Sequence, residues 1–337
     1  MTPLGWAIVG PGSIAGRFAG AVTQLPETRL AAVLGRDAHR AQEFLARFPV
    51  AQDVHVHGEI ETLLCDPSVD AVYIATPHAF HAATARACLR AGKPVLCEKP
   101  LTLDAATAAE LFALSREHNV FLMEALWTRF LPIYQQVSDW IAQGEIGALR
   151  GLQSSFAFNI PFKPDGRHFD PAQGGGALLD VGVYCLSMSQ WALRQCFGVV
   201  PALQATHAVG VAAPTGVDQR ISGSLCFDEG VVAQFHCGFD GHSDRGLRLF
   251  GERGVINLPD RFWEATEAHL QHGRGDTVVV KRDFEINGFE GQVREATRCI
   301  RAGLRESPQM PQTETLQVMQ WMDQIRRQCG FKIHDEP

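Results

Sequence analysis

The 337-residue sequence lacks several features that would assign it to a specialised class of proteins. It has no run of Lys or Arg, and its net charge is −7, so neither a nucleic acid nor an anionic membrane is expected as a partner. No apolar segment approaches the roughly 18–20 residues that cross a bilayer, and the N-terminus does not have the pattern of a signal peptide. The 9 cysteines form no Cys-x-x-Cys pair, which argues against a zinc knuckle and favours a reducing, cytoplasmic location.

The first third of the chain alternates short apolar runs with segments of helical period. The runs are Trp6–Val9, Leu30–Leu34, Ala71–Ala75, Pro94–Cys97 and Val120–Met123. The helical segments are Ile14–Leu25, Ala38–Phe48, Phe80–Ala91 and Ala105–His118. Continuous apolar strands separated by helices are typical of a parallel sheet that is covered on both faces. The pattern predicts an α/β domain over residues 1–125.

The pattern changes after about residue 125. Helices are predicted at Ile133–Ala142, Leu178–Leu193, Phe289–Leu304 and Thr313–Gln328, and strands fill most of Leu203–Val280, with a hairpin at Asp228–Gly230. Strands gathered together with flanking helices indicate an α+β domain with a mostly antiparallel open sheet, here over residues 126–337. The long connection Pro161–Gly176 is rich in Gly, Pro and Asp and is a candidate functional loop.

A glycine turn, Gly10-Pro11-Gly12-Ser13-Ile14-Ala15, follows the first predicted strand and opens the first predicted helix. In a dinucleotide-binding turn the first glycine allows the tight bend and the second lets the backbone approach the pyrophosphate. A small third residue then lets the helix pack closely on the strand. The alternative is an ordinary glycine turn. Its place at the first βα junction predicts a Rossmann domain that binds a dinucleotide.

The end of the second strand indicates which dinucleotide is preferred. An NAD site usually places Asp or Glu there, about twenty residues past the glycines. Here the sequence has Gly35-Arg36, with Arg40 one helical turn later, which favours the 2′-phosphate of NADP over NAD. Asp37 complicates this assignment, although we expect it to cap the following helix. The alternative for Arg36 is a solvated surface side chain.

Three further groups of residues are candidates for chemistry, and each has a plain structural alternative. Lys99 follows a parallel strand, where ligands bind, and is otherwise a solvated strand end. Asp180 and Tyr184 are four residues apart on a predicted helix, and spacing alone favours a dipole interaction and core packing over proton transfer. His55 and His57 alternate on a short strand. We expect them to form a strand face and predict no metal site.

Five segments in order resemble the Gfo/Idh/MocA oxidoreductase family, most of all the branch with dimeric dihydrodiol dehydrogenase, bacterial sugar dehydrogenases and glucose–fructose oxidoreductase. These segments are Gly10–Ala15, Thr76–His81, Gly92–Pro100, Met123–Phe130 and Gly174–Tyr184. The resemblance implies that Lys99 is the catalytic lysine, that Pro100 is commonly cis, and that Tyr184 is a catalytic acid/base. It implies that Asp180 positions the substrate and, more weakly, that Phe158 lines the pocket. It also implies a cofactor set beyond the glycine turn: Thr76, Pro77, His81, Glu98, Lys99, Trp127 and Arg129.

The resulting hypothesis is an NADP(H)-dependent oxidoreductase that transfers hydride between nicotinamide C4 and a carbinol carbon of a vicinal diol or cyclic sugar. A phenol has an ordinary pKa of about 10, so Tyr184 would need a nearby cation, which Lys99 can supply. The alternatives are a non-catalytic regulator that senses dinucleotide and an NAD-dependent glycoside hydrolase. The resembled branch also implies a homodimer formed through the C-terminal sheet.

Overall fold

A computed structural model describes residues 2–48 and 53–332 of the chain. In this part there are fourteen strands: β1 (Leu4–Val9), β2 (Thr28–Leu34), β3 (His55–His57), β4 (Ala71–Ile74), β5 (Val95–Glu98), β6 (Leu122–Ala125), β7 (Leu149–Ala157), β8 (Leu203–Ala212), β9 (Asp218–Phe227), β10 (Val232–Gly238), β11 (Leu247–Gly251), β12 (Gly254–Leu258), β13 (Glu267–His272) and β14 (Thr277–Lys281). The α-helices of the same part are α1 (Ser13–Val22), α2 (Ala38–Ala46), α3 (Ile60–Leu64), α4 (His81–Arg90), α5 (Ala105–His118), α6 (Pro132–Ala142), α7 (Val183–Phe197), α8 (Glu290–Arg301) and α9 (Gln312–Gln328).

The chain divides into two compact units. The first comprises Met1–Trp127 and Glu285–Leu316, and the second comprises Thr128–Phe284 and Gln317–Pro337. The predicted division at residue 125 leaves residues 285–316 with the second domain, whereas in the structure they pack with the first. Long-range contacts explain this: Phe289 lies 5.0 Å from Trp127 between ring centroids, and the Trp6 indole donates to the Thr297 hydroxyl.

The first unit is built on a six-stranded parallel sheet with the order β3-β2-β1-β4-β5-β6. The strands β4, β5 and β6 are buried along their whole length, as expected for a sheet covered on both faces. The order reverses beside β1, so the carboxyl ends of β1 and β4 flank the point where doubly wound folds bind ligands. This architecture confirms the predicted Rossmann domain.

The second unit is built on an eight-stranded sheet with the order β14-β13-β12-β11-β7-β10-β9-β8. Its pairs are antiparallel except for β7 and β10, which run parallel. Burial roughly alternates along β10, as expected when one face of a sheet is packed and the other is more open. The predicted mostly antiparallel α+β unit is therefore confirmed, including the hairpin between β9 and β10.

The segment that carries Asp180 differs from the prediction in one respect. A continuous α-helix is predicted over Leu178–Leu193, but Leu178–Gly182 is a π-helical turn and α7 begins only at Val183. Such turns widen the helix locally and occur frequently at functional sites.

Among residues 2–48 and 53–332, none of the helices combines the length and apolarity required to traverse a bilayer.

Candidate active site

The glycine turn joins β1 to α1 in the first unit. Gly10 has a φ of 89°, and a Cβ there would lie 2.9 Å from the backbone that follows β4, so only glycine fits. Gly12 caps α1, and no described atom lies within 4 Å of where its Cβ would be. Ser13 and Ile14 begin the helix, while Ala15 is fully buried. A ligand can therefore approach the backbone of Gly12 at the N-terminus of α1, an arrangement that suits a pyrophosphate.

The end of β2 lies beside this turn. A Cβ on Gly35 would approach the Pro11 ring to 3.1 Å, which explains why a glycine precedes Arg36. The side chains of Arg36 and Arg40 are exposed. The Asp37 carboxylate accepts hydrogen bonds from two backbone N–H groups in the first turn of α2, which confirms its predicted capping role. Asp37 is thereby engaged with its own helix.

His81 ties together the segments that follow β4 and β5. It is fully buried, with Nδ1 2.8 Å from the Pro100 carbonyl oxygen and Nε2 2.9 Å from that of Thr76. Burial lowers the pKa of His81, and the charge of Lys99 acts in the same direction, against two raising hydrogen bonds. The Thr76 hydroxyl is buried without a hydrogen-bond partner in the described part of the chain, and Pro77 beside it is exposed. Buried polar groups normally have a partner, so this hydroxyl fits a contact with bound cofactor.

Glu98 and Lys99 occupy the carboxyl end of β5. Glu98 is buried and accepts a hydrogen bond from the Tyr73 hydroxyl. Burial raises the pKa of Glu98 to about 7, although the Tyr73 hydrogen bond and the charge of Lys99 oppose that effect. The peptide between Lys99 and Pro100 is cis. A group that exchanges a proton near neutrality therefore lies next to the half-buried lysine.

Glu124, at the carboxyl side of the neighbouring strand β6, fixes the backbone after the cis peptide. Its Oε1 accepts the Leu101 N–H at 3.1 Å, and its Oε2 accepts the Thr315 hydroxyl at 3.0 Å. Neither Glu124 nor Tyr73 was identified from the sequence. The available signal was a polar side chain inside an otherwise apolar strand.

Trp127 and Arg129 lie on either side of the division between the two units. Trp127 packs on Phe289, and the Arg17 guanidinium lies 4.7 Å from the centre of its ring, all within the first unit. Arg129 is buried in the second unit and donates to the Gln190 amide oxygen at 2.8 Å. Each is held by its own unit, so their predicted contacts with cofactor or substrate stay predictions.

In the second unit, Asp180 is held by two basic side chains from the loop Pro161–Gly176. Arg167 Nη1 donates to Asp180 Oδ1 at 3.3 Å, and His168 Nε2 lies 3.7 Å from Oδ2. Asp180 itself is 5% exposed, so the pairing holds a buried carboxylate in one orientation. The sequence identified the loop as functional but not these two residues within it.

An aromatic wall borders Tyr184, which is buried. The Phe156 ring centroid lies 5.7 Å from that of Tyr184, and Phe156 stacks on Trp263 at 3.4 Å. The predicted wall residue, Phe158, packs at 6.4 Å from the ring of His168. Phe156 is thus the aromatic neighbour of Tyr184 that sequence reasoning missed, and Phe158 lies beside the group that holds Asp180.

Taken unit by unit, these features define an oxidoreductase of the dinucleotide-binding class. The first unit offers a pyrophosphate turn and a strand-end lysine. The second offers a phenol and an oriented carboxylate on one helical segment.

Comparison with known proteins places the chain within this class. Residues 4–126 match the family model of the oxidoreductase family with an NAD-binding Rossmann fold, and residues 134–257 match that of the GFO/IDH/MocA C-terminal domain. The chain belongs to the Gfo/Idh/MocA oxidoreductase family.

Individual relatives cover the chain almost completely. Trans-1,2-dihydrobenzene-1,2-diol dehydrogenase of Mus musculus is 34% identical over 334 residues, 97% of each chain, and that of Homo sapiens is also 34% identical over the same span. A 3-ketoreductase from Actinomadura kijaniata, solved with NADP and TDP-benzene, is 28% identical with a TM-score of 0.83 and covers 97% of this chain and 98% of its own. The chain is therefore an NAD(P)-dependent oxidoreductase that acts on CH–OH groups.

Proposed function

We propose that the chain is an NADP(H)-dependent dehydrogenase for a vicinal diol or cyclic sugar. In the oxidising direction the substrate C–H bond breaks with transfer of hydride to nicotinamide C4, and the O–H proton leaves to a protein base. The observation that carries the proposal is the buried Tyr184 on the same helical segment as Asp180, whose carboxylate is oriented by Arg167 and His168.

The residues of the first unit fit the cofactor. The turn Gly10–Ala15 would hold the pyrophosphate, and Arg36 with Arg40 would face the 2′-phosphate. The orphaned Thr76 hydroxyl and Pro77 would meet the nicotinamide end, where His81 fixes the backbone. When bound, the nicotinamide supplies the hydride acceptor or donor. The NADP complex of the A. kijaniata ketoreductase supports this coenzyme preference.

The proton is assigned to Tyr184. Its phenolate would accept the substrate proton during oxidation, and the resulting phenol would return that proton during reduction. Lys99 would supply the positive charge that favours the phenolate, and Glu98 beside it would tune that charge. Asp180 would accept a hydrogen bond from a second substrate hydroxyl, which fits a diol or a sugar. The names of the mouse and human relatives support a diol as substrate.

Substitution of the two assigned residues tests the proposal. Tyr184→Phe and Lys99→Met should each lower turnover by about 10²–10⁴-fold, the usual contribution of acid–base catalysis, with little change in the dissociation constant of NADPH. Turnover is followed by nicotinamide absorbance with trans-1,2-dihydrobenzene-1,2-diol and a panel of aldoses. Tyr134→Phe and Lys93→Met are matched controls, because their side chains donate to backbone carbonyls within their own units.

The outcomes separate the proposal from its alternatives. Parent-like turnover in both Tyr184→Phe and Lys99→Met would remove the assigned roles. Absence of any absorbance change with every substrate and both coenzymes would favour the dinucleotide-sensing regulator. NAD that stays bound through desalting, with glycoside cleavage, would favour the hydrolase.

Two further expectations stay predictions. The first is the cytoplasmic location, which is expected from the scattered cysteines of the sequence. A homodimer would use the open face of the second sheet. That face carries a polar depression of about 390 Å³ that is lined by Gln153, Ser155, Ser222, Gln234, His236 and Arg248.

A further inference from the structure

Two histidines and an aspartate converge at the edge of the first sheet, at residues without a role in the proposed reaction. His55 and His57 point from the same face of β3, and Asp66 follows α3. His55 Nδ1 lies 2.6 Å from Asp66 Oδ2, and His57 Nε2 lies 3.0 Å from the same oxygen. One ligand atom from each residue falls within 4.8 Å of the other two. The sequence could not show this cluster, because Asp66 joins the histidines only through the fold.

The carboxylate of Asp66 is oriented by its other oxygen. Asp66 Oδ1 accepts the Ser68 N–H at 2.8 Å and the Ser68 hydroxyl at 2.6 Å, which leaves Oδ2 directed at the two imidazoles. The Ser68 contacts therefore hold the carboxylate with one oxygen aimed at the imidazole nitrogens.

The tautomer of His57 is fixed by Thr62. The Thr62 hydroxyl donates its proton to the Glu59 carbonyl at 2.8 Å, so it can only accept from His57 Nδ1, 3.0 Å away. The Nδ1 atom of His57 consequently carries a proton. The Nε2 atom of His57 therefore faces Asp66 Oδ2 at 3.0 Å, and a metal ion can take the place of the proton between these two atoms. Metal-binding histidines commonly donate their second N–H in this way.

We propose that His55, His57 and Asp66 bind a divalent transition metal ion of the zinc type. Two imidazole nitrogens and one carboxylate oxygen form a donor set that Zn²⁺ uses, with a water in the fourth position. Zinc ligands at bond lengths of about 2.0–2.1 Å stand roughly 3.3 Å apart. To reach this spacing from 2.6 and 3.0 Å, the His55 nitrogen must withdraw from Asp66 Oδ2 by about 0.7 Å and the His57 nitrogen by about 0.3 Å. His55 has room to do so, since its side chain is 57% exposed.

A metal ion at this site would stabilise the edge of the first sheet. β3 has three residues and is the last strand of its sheet. A metal ion would link both histidines of this strand to the segment after α3. The nearby Lys93 ammonium donates to the backbone carbonyls of Val69 and Asp66, at 2.7 and 3.4 Å. Because a ligand that binds only the folded state stabilises it, added Zn²⁺ should raise the Tm of the chain.

Equilibrium dialysis of the tag-free, chelator-treated chain against Zn²⁺ tests the proposal. The parent should bind one equivalent at micromolar free metal, and His57→Ala and Asp66→Asn should each lose it. Thr62→Val should weaken the affinity by about 10–100-fold, as expected when the partner of a ligand is removed. His55→Ala serves where a buried substitution fails to fold, because His55 is largely exposed.

Two matched controls guard against adventitious binding. His39→Ala removes an exposed histidine that lies 3.6 Å from the Glu43 carboxylate, and Cys65→Ser removes the exposed thiol next to Asp66. Both should bind zinc as the parent does and show the same zinc-dependent rise in Tm. The proposal is overturned if the parent binds no zinc at micromolar concentration. It is equally overturned if His57→Ala and His55→Ala retain the full equivalent, since the cluster is then a protonated ion pair.

Discussion

Among single residues, Arg36 is the one on whose guanidinium the proposed preference for NADP(H) most depends. Arg36→Ala should raise the KM for NADPH by roughly 10–100-fold, because a hydrogen bond to a charged group contributes about 1.5–3 kcal/mol. The KM for NADH should change little. Arg90→Ala, at the exposed end of α4, is the control. Steady-state kinetics with both coenzymes measure these KM values. An equal rise in the KM for NADH would mean that Arg36 does not contact the 2′-phosphate.

Residues whose role depends on their immediate neighbours could be predicted from the sequence. Asp37 caps α2 as expected, and Gly10 has the positive φ that its turn requires. Arg167, His168 and Asp66 could not be assigned in the same way. Each meets its partner, 9–13 positions away, only when the chain folds back between neighbouring elements, and no periodic pattern within one element encodes that choice.

The backbone just before the π turn determines the position of the helical segment that carries Asp180 and Tyr184. Gly176 has a φ of 126°, and a Cβ there would lie 2.4 Å from Asp218 Oδ1. The Oδ2 atom of Asp218 accepts the Leu178 N–H at 2.6 Å at the start of this turn. Gly176→Ala should therefore lower the free energy of unfolding by about 1–3 kcal/mol, and it should reduce turnover by displacing the helical segment.

Gly216→Ala separates steric conflict from backbone strain in that experiment. Gly216 also has a positive φ, 90°, but no described atom lies within 4 Å of where its Cβ would be. Its substitution should cost less stability and leave turnover unchanged, as measured by thermal unfolding and kinetics. Equal losses in the two variants would show that Asp218 does not require a glycine at position 176.

The π turn is a structural element that the periodicity of apolar residues could not predict. The apolar pattern predicts a helix over Leu178–Leu193, and a helix is present. Nothing in that pattern distinguishes an α turn from a π turn, since the difference is one residue in the hydrogen-bond register. The spacing of Asp180 and Tyr184 therefore indicated one helical segment but did not define their geometry.

At the scale of the whole molecule, the alternation of strands and helices was sufficient to predict both architectures but not the chain path between them. Residues 285–316 return to the first unit through contacts such as the Asn287 amide with the Arg17 carbonyl, at 2.8 Å. A pairing across 270 positions leaves no periodic trace in the sequence.

The stability of the folded chain should fall as pH rises through neutrality because of Glu98. Burial raises the pKa of this carboxyl from 4.5 to about 7, against the opposing hydrogen bond from Tyr73 and the charge of Lys99. Folding thus favours the protonated acid. Its stabilising contribution is complete below the pKa of the unfolded chain and is lost as pH rises from 4.5 to about 7. Asp218, whose pKa burial raises to about 6, adds a loss of the same sign.

Glu98→Gln isolates this contribution, because the amide keeps the shape and stays neutral. The Tm of the coenzyme-free chain is measured at about pH 5 and about pH 8. The parent should lose stability between them, with about 3 kcal/mol of the loss due to Glu98, and the variant should lose less. Glu110→Gln is the control, since the Arg86 hydrogen bond lowers the pKa of Glu110 below 4.5, so this group contributes almost no pH dependence between about pH 5 and about pH 8 and its variant should respond as the parent does. A Glu98→Gln variant with the parent's full pH response would show that Glu98 is already ionised in the fold at pH 5. Lys99 would then have a permanent anion as its neighbour throughout the working range of the enzyme.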